Sequence, residues 1–248
     1  MPRYSLPQNA RDGSGFQGRD VIRFFMVDLI LIIALRLLMG LGVFPTVDAY
    51  VLAILGSKVV LFLYLFWLIR DRRDAWPETG ATGIGHWWTL PAGVLAYAAF
   101  YPALLFMNSF NRVMMIRLHA ALGWVYNPQP QDVMVFIFED ILQTPVRILL
   151  IAFTVLLGPF MEELAFRGVG IDAYRRTGGV VWAVVWTSFL FGLYHFDLNL
   201  LLPLTCLGVL FGALRVATGT LWSALVAHCL HNIFTLLVMA HELALHKA

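Results

Sequence analysis

Runs of about twenty consecutive apolar residues leave a chain few ways to fold, because only a continuous helix satisfies its own backbone in lipid at 1.5 Å per residue. This sequence is built from such runs. They lie at about 22–43, 48–69, 87–108, 146–174, 180–196, 199–215 and 220–240. Polar breaks separate them: "FPTVD" near 44–48, "RDRRDAWPETGATG" at 70–83, "RRTGG" at 175–179, "FDLN" at 196–199 and "RVATGT" at 215–220. The 248 residues are 60% hydrophobic and 13% charged, with a mean hydropathy of +0.78. A soluble domain has about 25% charged residues, so the expected fold is an all-α, multi-pass transmembrane bundle. Seven spans are expected, or eight if residues 109–145 hold another element. That stretch carries the helix breaker "NPQPQ" at 127–131 between two amphipathic pieces.

Residues 1–20 are polar and read as a disordered cytoplasmic tail, with no cleavable signal; the first apolar run would then serve as an uncleaved signal and anchor. Residues 21–145 form the expected N-terminal membrane region, and 146–248 the core that carries the chemistry. Arg11, Arg19 and Arg23 precede the first run, Arg70, Arg72 and Arg73 follow the second, Arg175 and Arg176 the fourth, and Arg215 the sixth. The loops at 44–48 and 196–199 lack Lys and Arg, so the positive-inside rule places the N-terminus in the cytoplasm, and the expected location is a bacterial inner membrane. Arg112 and Arg117 fall on the opposite side of that scheme. A net charge of +2 and the absence of a basic, aromatic-interleaved cluster argue against nucleic acid as a partner. Cys206 and Cys229 lie inside apolar runs and read as small core residues.

Against this background "GPFMEELAFRG" at 158–168 is out of place. A central Asp, Glu, Lys or Arg costs roughly 2.5–3.5 kcal/mol to insert, so Glu162, Glu163 and Arg167 together would cost on the order of 7–10 kcal/mol if unpaired. At 100° per residue Arg167 lies about 40° from Glu163 but about 140° from Glu162. Arg167 can therefore neutralise Glu163, in a structural pair, while Glu162 needs another partner. With the helix continuing to Arg176, Glu162 lies about 22 Å below the "TGG" turn, and His195 on the returning helix lies about 24 Å below it. An antiparallel hairpin brings both to one depth. "HCLHN" at 228–232 adds His228 and Asn232 on one face of the last run. Phe191 reads as packing, and His231 and Cys229 as neighbours of the site. Asp28, Arg36 and Lys58 in the first two runs read as paired or snorkelling charges. "HELALH" at 241–246 is rejected as a zinc helix, because its histidines are five apart rather than four.

"EELAFR" (Glu162, Glu163, Arg167), "FGLYH" (Phe191 to His195) and "HCLHN" (His228 to Asn232) resemble, in order, the EExxxR, FxxxH and HxxxN motifs of the CAAX-protease and bacteriocin-processing family of intramembrane endopeptidases. The resemblance implies that Glu162 and His195 activate a water, while His228 and Asn232 stabilise the oxyanion. It implies membrane lipid as the surroundings and a membrane-associated protein or peptide as substrate. A metal-free reaction is favoured, because Asn232 has a natural role only as a donor; the alternative is Zn²⁺ held by Glu162, His195 and His228. Rival readings are a non-catalytic membrane scaffold or immunity factor, which would tolerate Glu162→Gln, and a proton-coupled transporter, which would use the same Glu and His as a relay.

Overall fold

The computed structural model describes residues 15–71, 80–81, 83, 85–126, 132–138 and 141–247. Its described residues are helical: α1 (Gly18–Gly40), α2 (Val47–Asp71), α3 (Thr89–Ala121), α4 (Asp132–Phe138), α5 (Thr144–Ala152), α6 (Gly158–Glu163), α7 (Ile171–Tyr194), α8 (Leu201–Thr218) and α9 (Trp222–Lys247). By length and composition, five rods among them could cross a membrane: Val47–Asp71, Thr89–Ala121, Thr144–Tyr194, Leu201–Thr218 and Trp222–Leu245. The expected runs at 146–174 and 180–196 are together the 51-residue rod, which folds back at Gly179 (φ 80°, ψ 176°). That positive φ is open to glycine without strain. The first expected run, α1, is set apart by Arg23, Asp28 and Arg36 along its length.

Three expectations change. The helix α1 begins at Gly18, within the segment read as a tail, and Phe16 ahead of it is buried in the core. Its start is fixed by the Asp20 carboxylate, which accepts from the Gln17 N–H at 2.8 Å. Residues 109–121 are not a separate amphipathic piece but the end of α3, whose 33 residues span about 50 Å. A hydrocarbon layer is about 30 Å thick, so the part of α3 bearing Arg112 and Arg117 can extend past it. The remaining ambiguous stretch contains only the seven-residue α4 among its described residues between 127 and 143; the "NPQPQ" breaker at 127–131 lies outside them, as do residues 1–14.

Between Thr144 and Gly170 the rod is not a uniform α-helix. Phe153–Leu157 and Leu164–Gly170 are π-helical turns, of the kind that insert one extra residue and often mark functional sites. The first has a local cause. The Gly158 N–H reaches back to the Phe153 carbonyl, so the Thr154 carbonyl would next need residue 159, which is proline and has no N–H. The two arms on either side of the site are pressed together by small residues. A Cβ on Gly208 would lie 2.9 Å from Ser188 Cα, and one on Gly212 2.8 Å from a Val184 methyl carbon. These glycines, one turn apart on α8, let it approach α7 closely, the usual way helices pack where lipid removes the hydrophobic drive.

Candidate functional site

The hairpin at Gly179 lets residues of α6 and of the end of α7 face one space, with α9 on its third side. Between them lies a cavity of about 440 Å³ whose wall includes Glu162, Phe191, His195, His228, His231 and Asn232. Its other end is lined by apolar residues of α2, α4 and α5, among them Val51, Leu55, Val133, Phe136 and Leu150. Thus the four residues expected to act together share one chamber.

Glu163 and Arg167 are fully buried, and Arg167 Nη1 donates to Glu163 Oε1 at 3.2 Å. Arg167 also donates from Nη2 to the Gly208 carbonyl at 3.1 Å, and its guanidinium lies over the rings of Phe191 (4.4 Å) and Phe211 (5.3 Å). Such aromatic faces attract a cation more strongly when water is excluded. The expected division of labour needs one correction here: Glu163 does more than hold Arg167. The same Oε1 accepts from His228 Nδ1 at 2.9 Å, which puts a proton on Nδ1 and turns Nε2 toward Glu162, whose Oε2 is 3.7 Å away. A carboxylate behind an imidazole orients the ring and sets its tautomer. His228 is further gripped by Phe211, stacked at 4.8 Å, and by Phe191, edge-on at 5.6 Å.

Glu162 is the partly open member of the group, with 19% of its side chain exposed, against 1% for Glu163. Its Oε2 is buried and has no hydrogen-bond partner among the described residues. A buried carboxylate oxygen left in this state is costly, and the cavity is where a donor would sit. His195 ends α7; its Nδ1–H donates to the Phe191 carbonyl at 2.9 Å, so in the neutral ring Nε2 carries the lone pair. The next residue, Phe196, has φ 52°, a left-handed conformation uncommon outside glycine.

Asn232 is anchored more firmly than its spacing suggests. Its Nδ2 donates at 2.7 Å to the Thr154 carbonyl, the group that Pro159 leaves without a helical partner. One of its two amide N–H groups is used there, and one is left over. His231, expected to flank the site, is on the cavity wall, with Nδ1 at 3.3 Å from the Tyr97 hydroxyl. Lys58 also lines the cavity; its ammonium pairs with both oxygens of Asp28 at 2.7 and 2.6 Å and reaches Tyr194 Oη at 3.4 Å. Tyr97, Tyr194 and the Thr154 carbonyl escaped the sequence reading, and only Pro159 signalled one of them.

No three His, Cys, Asp or Glu residues among those described converge as placed to hold a metal ion; the Nδ1 contacts of His195 and His228 leave both Nε2 atoms free and do not themselves oppose ligation.

Residues 144–234 match the family model described as type II CAAX prenyl endopeptidase Rce1-like. That interval contains all three motifs and every wall residue contributed by α5 to α9 up to Asn232. Over this C-terminal part the chain is similar to the CAAX-protease and bacteriocin-processing family. A curated relative, "Putative membrane peptidase YdiL" of Bacillus subtilis (strain 168), is 31% identical over 90 residues, which are 36% of this chain and 37% of the relative. The chain thus matches little more than a third of that relative's length. No solved structure matches.

Proposed function

We propose that this protein is an intramembrane endopeptidase that hydrolyses a peptide bond of a membrane-associated protein or peptide with a water activated by Glu162. The observation that carries the reading is the unpartnered Glu162 Oε2 on the wall of a cavity shared with the Nε2 lone pair of His195. The family match and the relative named as a membrane peptidase point the same way.

In the proposed reaction a water lies between Glu162 and His195. Glu162 takes its proton as the oxygen attacks the carbonyl carbon, and the carbonyl π electrons move onto oxygen. The oxyanion is met by the spare N–H of Asn232 and by His228. To donate from Nε2, His228 must carry both ring protons, an imidazolium between the Glu162 and Glu163 carboxylates. Collapse of the intermediate breaks the C–N bond, and the proton held by Glu162 passes to the leaving nitrogen. Donors preorganised in this way contribute about 2.7–4 kcal/mol each when charge develops. Glu163 holds His228, and Arg167 balances Glu163. No step requires a metal. The protein would work in a bacterial inner membrane with its N-terminus cytoplasmic, as the arginine distribution suggests.

The test is comparative terminal proteomics of membranes from cells carrying the wild type or Glu162→Gln. New peptide termini that depend on Glu162 are expected. Identical termini in the two strains, with both proteins present in equal amount, would remove the peptidase reading and favour a scaffold. Prolonged chelation of the purified protein should leave cleavage intact; loss reversed by Zn²⁺ would make Glu162, His195 and His228 ligands instead.

A further inference from the structure

The cavity wall carries three imidazoles, and their ring protons are not arranged alike. His195 Nδ1 faces the Phe191 carbonyl and His228 Nδ1 faces the Glu163 carboxylate. Both partners are acceptors only, so in both rings the proton is drawn to Nδ1, and each neutral ring offers a lone pair at Nε2. His231 is the reverse case. Its Nδ1 meets the Tyr97 hydroxyl at 3.3 Å, and among the described residues that nitrogen is the only hydrogen-bond partner of Tyr97. The Tyr97 ring is buried. A buried phenol is destabilised when its proton has no acceptor, so the hydroxyl donates to Nδ1. The His231 proton is then on Nε2, the ring nitrogen that Tyr97 does not occupy, in a side chain that lines the cavity.

A second observation makes this proton useful. Asn232, one residue along α9, has one amide N–H committed to the Thr154 carbonyl. His228 can donate into the cavity only when doubly protonated. The neutral wall is therefore short of donors on the α9 side, and His231 supplies one at no cost in charge. The rings that hold it are fixed in turn: His231 is edge-on to Tyr97 at 6.0 Å, and Phe234 and Tyr101 pack against Tyr97 at 6.3 and 6.0 Å.

We infer that His231, with its tautomer set by Tyr97, is a further catalytic residue, whose Nε2–H donates to the carbonyl oxygen of the peptide bond being cut. Tyr97 is a positioning residue that acts through it. The inference rests on the peptidase reading above. It also restricts the substrate: the carbonyl oxygen must come within reach of the α9 wall at His231 and Asn232.

The first measurement does not depend on turnover. Long-range ¹H–¹⁵N correlation spectra of histidine-labelled protein in lipid nanodiscs should show the His231 ring protonated at Nε2 and bare at Nδ1, and the pattern should shift in Tyr97→Phe. A proton on Nδ1 in the wild type overturns the inference whatever the activity. The second measurement uses the peptide termini that depend on Glu162. With a peptide spanning such a site, His231→Phe should lower kcat about 10²–10³-fold, as loss of one oxyanion donor does, with KM little changed. His231→Gln, which keeps an N–H at similar reach, should recover at least a tenfold share, and Tyr97→Phe should fall between. If His231→Phe does not accumulate as folded protein, His231→Gln and Tyr97→Phe decide: equal rates in wild type and Tyr97→Phe sink the proposal. Full cleavage in His231→Phe sinks it while leaving the peptidase standing. Termini that do not depend on Glu162 remove the peptidase itself, and this inference with it.

Discussion

Two clusters of charge are embedded in apolar helices of this protein, and they are built to opposite ends. In the N-terminal half, Asp28 of α1 is fully buried, and both its oxygens are taken by Lys58 of α2. The third hydrogen of the ammonium points at Tyr194 Oη. Every strong donor and acceptor of that pair has a partner. In the C-terminal half the balance is deliberately incomplete. Arg167 and His228 both meet Glu163 at Oε1, which leaves Glu163 Oε2, Arg167 Nε and Glu162 Oε2 without hydrogen-bond partners among the described residues; of these three residues Glu162 alone lines the cavity. A closed pair fixes helices against each other; an open one keeps a reactive atom that the fold has paid to bury. Although Lys58 also lines the cavity, its charge is spent.

The comparison can be broken most directly at Glu162. Glu162→Gln preserves shape and removes the base, so turnover should fall at least about 10²-fold, the lower end for losing general-base catalysis. Thermal stability should be unchanged or slightly raised, since an amide is cheaper to bury than a carboxylate. Full activity in this variant would make the open cluster as inert as the closed one.

Next in size are the single-partner deletions. Arg167→Ala and Asp28→Ala each strand a buried charge, which costs about 3–5 kcal/mol. Both should reduce the folded protein recovered from membranes, and heating the solubilised variants should show the loss. If Arg167→Ala left stability untouched while abolishing cleavage, the pair would belong to the chemistry rather than to the scaffold.

Asn232→Ala should have a mixed and smaller effect on stability. The Thr154 carbonyl would lose its donor, a penalty of about 1–3 kcal/mol for a buried acceptor, and the proposed oxyanion donor would go with it. Hydrogen exchange at the π-turn of residues 153–157 should speed up in this variant; unchanged exchange there would mean that Asn232 does not secure the turn.

The smallest change is expected where the closed pair is replaced whole. Asp28→Leu combined with Lys58→Met removes both charges together, and such swaps of a buried ion pair are often neutral or stabilising. Cleavage and melting temperature should stay near the wild-type values. A large loss of activity in the double variant would show that Lys58 acts on substrate, and the contrast between the clusters would fail.

Much of this arrangement was legible in the residues alone, wherever the geometry is local. The apolar runs announce the rods, and the four-residue spacing of Glu163 and Arg167 brings them to one face, a contact that survives the π-turn at Leu164–Gly170. The "TGG" turn also puts Glu162 and His195 on the two arms of one hairpin, and both line the cavity. Pro159 could have told more: a missing N–H guarantees an unpaired carbonyl four or five residues earlier. What the sequence could not say is which side chain would cover it. Asn232 reaches Thr154 across 78 residues, His228 reaches Glu163 across 65, and Tyr97 reaches His231 across 134. Contacts of that kind have no period to read. They follow from how closely α8 can approach α7 at Gly208 and Gly212, and from where α9 then settles against α3 and the π-turns. Only the packed bundle decided that Glu163 would serve an imidazole as well as an arginine, and that His231 would face the cavity.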